Sequence, residues 1–296
     1  LDTSPAYGRG RSELGLGKVI KARPRDQFFL TSKVSVWDVN RNQAFQQIFD
    51  GLSDEEQTRL RDAMRLEIER RGTARDEYLV NYFGNQRNEL EAATLSNLME
   101  KKYGDRIDRP KAYRQSVIKS VDESLARLGT DHLDILMCPH GASSPEELAH
   151  PEIFEAFEVL RKSGKVRHLG VSSHSDPAGV LKAAVDSGHY AAAMVAYNIS
   201  NAEFMNERIA EAKSLDLGVI AMKVARPVNP GGGRPAGDPE LIARLESAVD
   251  GSWSIPQKAY LWGLGNEDLS AVISNMTEDQ QLKENLQLPA ARDRIH

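Results

Sequence analysis

From Lys111 to the end of the chain, short apolar runs rich in β-branched residues alternate with longer stretches in which apolar positions recur every three or four residues. The first pattern suits a buried strand and the second a helix with one apolar stripe, so their alternation predicts β-α units feeding a parallel sheet. Strands are predicted at residues 28–34, 133–138, 166–172, 193–197, 218–222 and 271–273. Helices are predicted at 113–128, 151–162, 177–187, 203–215, 239–249 and 256–263. Gly129, Gly164, Gly188 and Gly218 each follow an apolar-periodic run, where a left-handed cap costs glycine least.

Residues 35–111 break this rhythm. The stretch is charged, holds no convincing strand, and carries Ser53-Asp54-Glu55-Glu56, a capping-box signature that should start a helix reaching about Arg71. Leu60, Met64 and Ile68 would form its apolar stripe. A second helical stretch is expected over 76–103. The whole reads as a helical insertion, either a lid or docking surface beside the active-site face or an inert elaboration. Short strands with short connections fit a (β/α)8 TIM barrel, an α/β fold whose chemistry sits at the C-terminal ends of its strands. The 296 residues then form one barrel domain, with 35–111 as a helical insertion after the third strand.

A net charge of −5, with both signs interspersed, provides no electrostatic footprint for nucleic acid or an anionic membrane. A small molecule is the expected partner, and oligomeric state is left open. Cys138 is the single cysteine, which excludes an internal disulfide and a thiolate metal centre built by this chain alone. That suits the cytoplasm, although the chain opens at Leu1 rather than Met, so an export signal upstream would overrule it. No run approaches the eighteen or so apolar residues of a membrane helix. Asp134, Cys138, His140 and His174 lack metal-ligand spacing, so no metal site is expected and metal-dependent hydrolysis ranks last.

Asp2-Thr3-Ser4-Pro5-Ala6-Tyr7-Gly8 and Ser12-Glu13-Leu14-Gly15 are followed by Thr31-Ser32-Lys33, Asp134, His140-Gly141, Gly170-Val171-Ser172-Ser173, Tyr197-Asn198 and Glu284-Asn285. In content and order these resemble the aldo-keto reductases. The resemblance implies hydride transfer between NADP or NAD and an aldehyde, ketone or sugar-like carbonyl, with Asp2, Tyr7, Lys33 and His140 as the catalytic set. Tyr7 would donate the proton, and a neighbouring Lys33 cation should lower its pKa from about 10. Asp2 would hold Lys33, and His140 would position the carbonyl oxygen. Ser172 and Ser173 would hold the carboxamide, Met222 and Lys223 would stand at the nicotinamide face, and Glu284 and Asn285 near the adenine.

Against the family pattern, the first strand and most of the second are expected to precede Asp2. Met194 and Ser173 stand where carboxamide-binding amides are usual. Asn275 and Gln281 take the places of the cations that hold a 2′-phosphate, so preference for NADP is not expected. His140 lies six residues after Asp134 where five are usual, which calls for a bulge near Cys138-Pro139. The alternative is a barrel that binds a nucleotide or a partner with little or no turnover.

Overall fold

The computed structural model describes residues 1–34, 36–79, 82, 85–107, 110–229 and 237–294. Six strands, β1 (Thr31–Lys33), β2 (Leu133–Met137), β3 (Val166–Ser173), β4 (Ala192–Ala196), β5 (Gly218–Met222) and β6 (Ala271–Val272), pair in chain order. Every pairing is parallel. Asp2 adds a parallel bridge to Thr31 on the outer side of β1, where Thr3 N–H donates to Thr31 O at 3.0 Å.

The period of two along β4 sets the two faces of the sheet. Ala192 and Met194 cluster with Met137 and Met222 on the concave side, whereas Ala193 and Val195 join the larger core beneath the helices. The result is a curled parallel half-barrel. Around it lie α1 (Arg11–Ile20), α5 (Pro110–Leu128), α6 (Pro151–Lys162), α7 (Pro177–Ser187), α8 (Ala202–Ser214), α9 (Pro239–Ala248), α10 (Ile255–Leu264) and α11 (Asp279–Asn285).

Strand and helix positions agree with the apolar pattern to within a few residues. Gly129, Gly164 and Gly188 adopt the left-handed conformation expected of caps, with φ of 66°, 75° and 65°. Gly218 does not: it opens β5, and Asp216 takes the left-handed turn instead at φ 60°. The side chain of an aspartate can serve its own backbone, which makes this conformation tolerable outside glycine.

Three helices fill the segment between β1 and α5. They are α2 (Val36–Asp50), α3 (Asp54–Arg71) and α4 (Gln86–Tyr103). Ser53 caps α3 by accepting Glu56 N–H at 3.4 Å, and the stripe Leu60, Met64, Ile68 is buried. Phe45 and Phe49 of α2 pack against Leu60, Met99 and Tyr103 in a small core of their own. The helix expected from residue 76 begins ten residues later, at Gln86. What precedes it is a turn region that buries Tyr78, Leu79 and Tyr82. Helix α2 is not among the helices predicted from the sequence.

Two buried carboxylates hold the frame. Asp134 on β2 accepts the Leu30 N–H at 2.8 Å and hydrogen bonds from Arg25 and Arg167, each at 2.7 Å. Burial alone would raise its pKa; the Arg25 hydrogen bond, the Leu30 amide and the charge of both guanidinium groups reverse that and hold it below the usual carboxylate range. Glu13, fully buried on α1, accepts from Ser32 Oγ at 2.7 Å and from Arg127 Nε at 2.6 Å, tying α1 to β1 and α5.

Candidate active site

The residues singled out at the start of the chain converge on the C-terminal end of β1. Lys33, the last residue of that strand, is 2% exposed, and its Nζ donates to Asp2 Oδ1 at 2.5 Å and to Thr3 O at 2.8 Å. An ammonium this deep is tolerable only with such partners. Burial lowers its pKa, and Asp2 opposes that shift. The same Nζ stands 4.8 Å from the centre of the Tyr7 ring. Tyr7 in turn meets His140 edge to face at 6.2 Å. All four residues therefore share one site.

The electrostatic expectation for Tyr7 needs correction. Burial and the Asp2 carboxylate push its pKa up to about 12, not down. Lys33 lies over the ring rather than beside an ionised phenolate, and its charge is already spent on Asp2. Tyr7 is accordingly a protonated phenol across the neutral range. His140 is held neutral as well: burial, reinforced by Lys33, lowers its pKa to about 3.

His140 is carried by the loop that follows β2, past a cis Cys138–Pro139 peptide. That loop is laced onto the end of β3. Ser172 N–H donates to Pro139 O at 3.3 Å, Ala142 N–H to Ser172 O at 2.8 Å, Gly141 N–H to Ser172 Oγ at 3.0 Å, and Ser173 Oγ to Ala142 O at 2.7 Å. Ser172 and Ser173 thus serve the loop that positions His140. Both are almost wholly buried, so neither is open to a carboxamide in this conformation.

The remaining cofactor candidates lie at the ends of later strands. Met222 closes β5 within the concave cluster, and Lys223 follows it, partly exposed and at φ 62°. Asn285 lies on α11 after β6 and donates from Nδ2 to Ser274 Oγ at 3.1 Å, which leaves its amide oxygen for a ligand. Glu284 accepts from Gln280 at 2.9 Å. A cation, a carboxylate and an amide are, in chemical type, groups that the phosphate and base portions of a dinucleotide can use. The Ser172-Ser173 seat does not fit as direct contacts. The glycine run at 231–233 lies outside the described residues.

Two features of the site escaped sequence reasoning. The first is His174, next after Ser173, whose pKa falls to about 3 through burial and the nearby charges of Lys223 and Lys33. The second is the set of buried and half-buried polar bonds by which the expected helical segment docks on the strand ends. Tyr78 donates to Asp176 Oδ1 at 2.5 Å, Gln86 Nε2 to His174 O at 3.1 Å, and Asn97 Nδ2 to Ser144 Oγ at 2.9 Å. Asn198 Nδ2 donates to Tyr82 Oη at 2.7 Å, and Arg226 Nη2 to Tyr82 O at 3.2 Å. Contacts of this range between residues distant in sequence leave no periodic trace in the chain. Among the described residues no group of His, Cys, Asp and Glu could hold a metal ion, and no helix is long and apolar enough to cross a membrane.

The sequence model of the Aldo/keto reductase family matches residues 1–291. Oxidoreductase YdhF of Escherichia coli is 46% identical over 61 residues, 20% of this chain and 19% of that protein. The match thus spans about a fifth of that relative's length. The NADH-specific methylglyoxal reductase of E. coli is 23% identical over 97% of this chain and 77% of its own. Among solved structures, aldo-keto reductase AKR11C1 of Bacillus halodurans superposes with a TM-score of 0.60 at 19% identity, covering 99% of this chain and 80% of that one.

Proposed function

The chain belongs to the aldo/keto reductase family, an oxidoreductase family with a barrel fold, and from that premise we propose that it reduces a small aldehyde, ketone or sugar-like carbonyl with NADH or NADPH. The observation that carries this reading is the convergence of Asp2, Tyr7, Lys33 and His140 at one strand end. We read the curled six-stranded sheet as the greater part of a (β/α)8 barrel, with 35–111 inserted after its third strand.

Carbonyl reduction needs a hydride at carbon and a proton at oxygen. When bound, the nicotinamide supplies the hydride; Lys223, Met222, Glu284 and Asn285 are the residues that would hold the dinucleotide. Tyr7, protonated at neutral pH, gives its phenolic hydrogen to the oxygen as that atom gains charge. Neutral His140 donates a hydrogen bond to the same oxygen and fixes its position. Lys33 packs over the Tyr7 ring and fixes its position, and Asp2 and the Thr3 carbonyl hold the ammonium in place.

Replacing Tyr7 by Phe removes the proton and little else. Turnover of a carbonyl substrate should fall by a factor of about a hundred to ten thousand, the usual worth of a general acid, with dinucleotide affinity nearly unchanged. Full turnover by Tyr7→Phe would sink the assignment. A second reading, a barrel that binds a nucleotide or partner with little turnover, draws support from the burial of Ser172 and Ser173. Dinucleotide binding without reduction of any carbonyl would favour it.

A further inference from the structure

The motif Ser12-Glu13-Leu14-Gly15 has no part in the chemistry above, yet its first two residues reach the site from behind. Both stand in the first turn of α1. Ser12 N–H donates to Tyr7 O at 3.3 Å, and its hydroxyl shares a hydrogen bond of 2.8 Å with that of Thr3. Thr3 is the residue whose carbonyl accepts Lys33 Nζ. Glu13, 0% exposed, accepts the Ser32 hydroxyl at 2.7 Å. Side chains alternate along a strand, so Ser32 faces α1 while Lys33, next in the chain, faces the site. One turn of helix therefore holds the backbone of Tyr7, the residue that accepts Lys33, and the residue that precedes Lys33. The turn is itself fastened to α5. Arg127 Nε donates to the other Glu13 oxygen at 2.6 Å, and Gly17 lets the two helices touch, since a Cβ there would stand 2.8 Å from the Arg127 and Leu128 carbonyl oxygens.

We propose that Ser12 and Glu13 are positioning residues of the reductase site, which clamp Tyr7 and the Lys33 end of β1 together so that the phenol stays aimed at the carbonyl oxygen. Both act through the residues they hold. The proposal rests on the reductase reading above and adds to it a support on the far side of the strand. A carboxylate suits that task, because charge-assisted bonds to a guanidinium and a hydroxyl are short and directional. Without such partners its burial would be costly, so Glu13 is stable only where Ser32 and Arg127 both reach it. Its charge matters too. Lys33 lies in the field of Asp2 and Glu13, packs over Tyr7, and acts in turn on the neutral His140 and His174. Asp2 and, more weakly, Glu13 oppose the burial that would otherwise strip the ammonium of its proton.

The test is steady-state reduction of glyceraldehyde, with dinucleotide affinity followed separately by quenching of tryptophan fluorescence. In Glu13→Ala, kcat should fall by about ten- to a hundredfold, the cost of a displaced reacting group, with dinucleotide affinity nearly unchanged. Glu13→Gln should recover most of that loss, because a neutral amide can accept from Arg127 and donate to Ser32. Its kcat/KM should nevertheless fall away at a lower alkaline pH than in the wild type, since one of the two anions that keep Lys33 charged is gone. Deprotonated, Lys33 loses its ion pair with Asp2 and its hold over the Tyr7 ring. Ser12→Ala, which keeps its N–H to Tyr7, should lose less than Glu13→Ala. A folded Glu13→Ala with the wild-type kcat overturns the proposal alone. If that variant does not fold, an alkaline limb unmoved in Glu13→Gln overturns it. A wild-type protein that reduces neither glyceraldehyde nor butanone with NADH or NADPH overturns it together with the reductase reading.

Discussion

At the scale of single residues, two histidines give the molecule a defined response to acid. His140 and His174 each protonate only near pH 3 when folded, against 6.5 for the free side chain. Between those values the unfolded chain binds more protons than the folded one, so stability rises with pH and is lost as pH falls from 6.5 toward 3. Each histidine contributes a slope of up to about 1.4 kcal/mol per pH unit. Urea titrations at pH 7 and about pH 4.5 should therefore show a marked loss for the wild-type protein. In His174→Gln the pH-dependent loss should be roughly halved; a loss equal to that of the wild type would refute burial of a neutral His174. The same values bear on catalysis. With His140 neutral and Tyr7 protonated throughout, kcat/KM for reduction should stay level between about pH 5 and 8. A limb near pH 6.5 would mean that His140 titrates in the working enzyme.

At the scale of elements, the helical segment is fastened to the half-barrel by groups that water cannot reach. Tyr78 donates to Asp176 and accepts Ala178 N–H at 2.9 Å, while Asp176 also caps α7 through Gly179 N–H at 3.1 Å. Tyr78→Phe strips a hydrogen bond from a buried carboxylate and should cost about 1–3 kcal/mol in chemical denaturation. A loss under about 0.5 kcal/mol would fit a segment that merely rests on the surface. The repeating β-α units and the cap of α3 were legible in the sequence because each is written in local periodicity and capping chemistry. That Asp2, Tyr7, Lys33 and His140 belong together was legible through their ordered motifs. What could not be read was anything set by docking: the late start of α4, the retreat of Ser172 and Ser173 into the His140 loop, and the capture of His174 by Gln86 and Tyr82. Glu13 falls between these cases. Its motif was visible, but only the fold reveals that its carboxylate bridges Ser32 and Arg127.

At the scale of the whole molecule, parallel strands all deliver their C-terminal ends to one side, and the ligand must be recognised by whatever charge those ends carry. On the proposed reading, Lys223 after β5 is the cation among the cofactor candidates, and a 2′-phosphate would meet Asn275 and Gln281 in the chain after β6, neither of which carries charge. Gln281 is also engaged, since its Oε1 accepts Thr277 N–H at 2.8 Å. A phosphate set there would give up hydration without gaining a charge-assisted bond. NADH should accordingly bind more tightly than NADPH, by about tenfold if one such bond is missing, as measured by quenching of tryptophan fluorescence. Gln281→Arg restores a guanidinium at that place and should narrow or reverse the ratio, with the gain for NADPH weakening as salt rises. If NADPH already binds the wild-type protein more tightly, another cation must meet the phosphate, and the dinucleotide then crosses the mouth along a path other than the one running from Lys223 to Asn285.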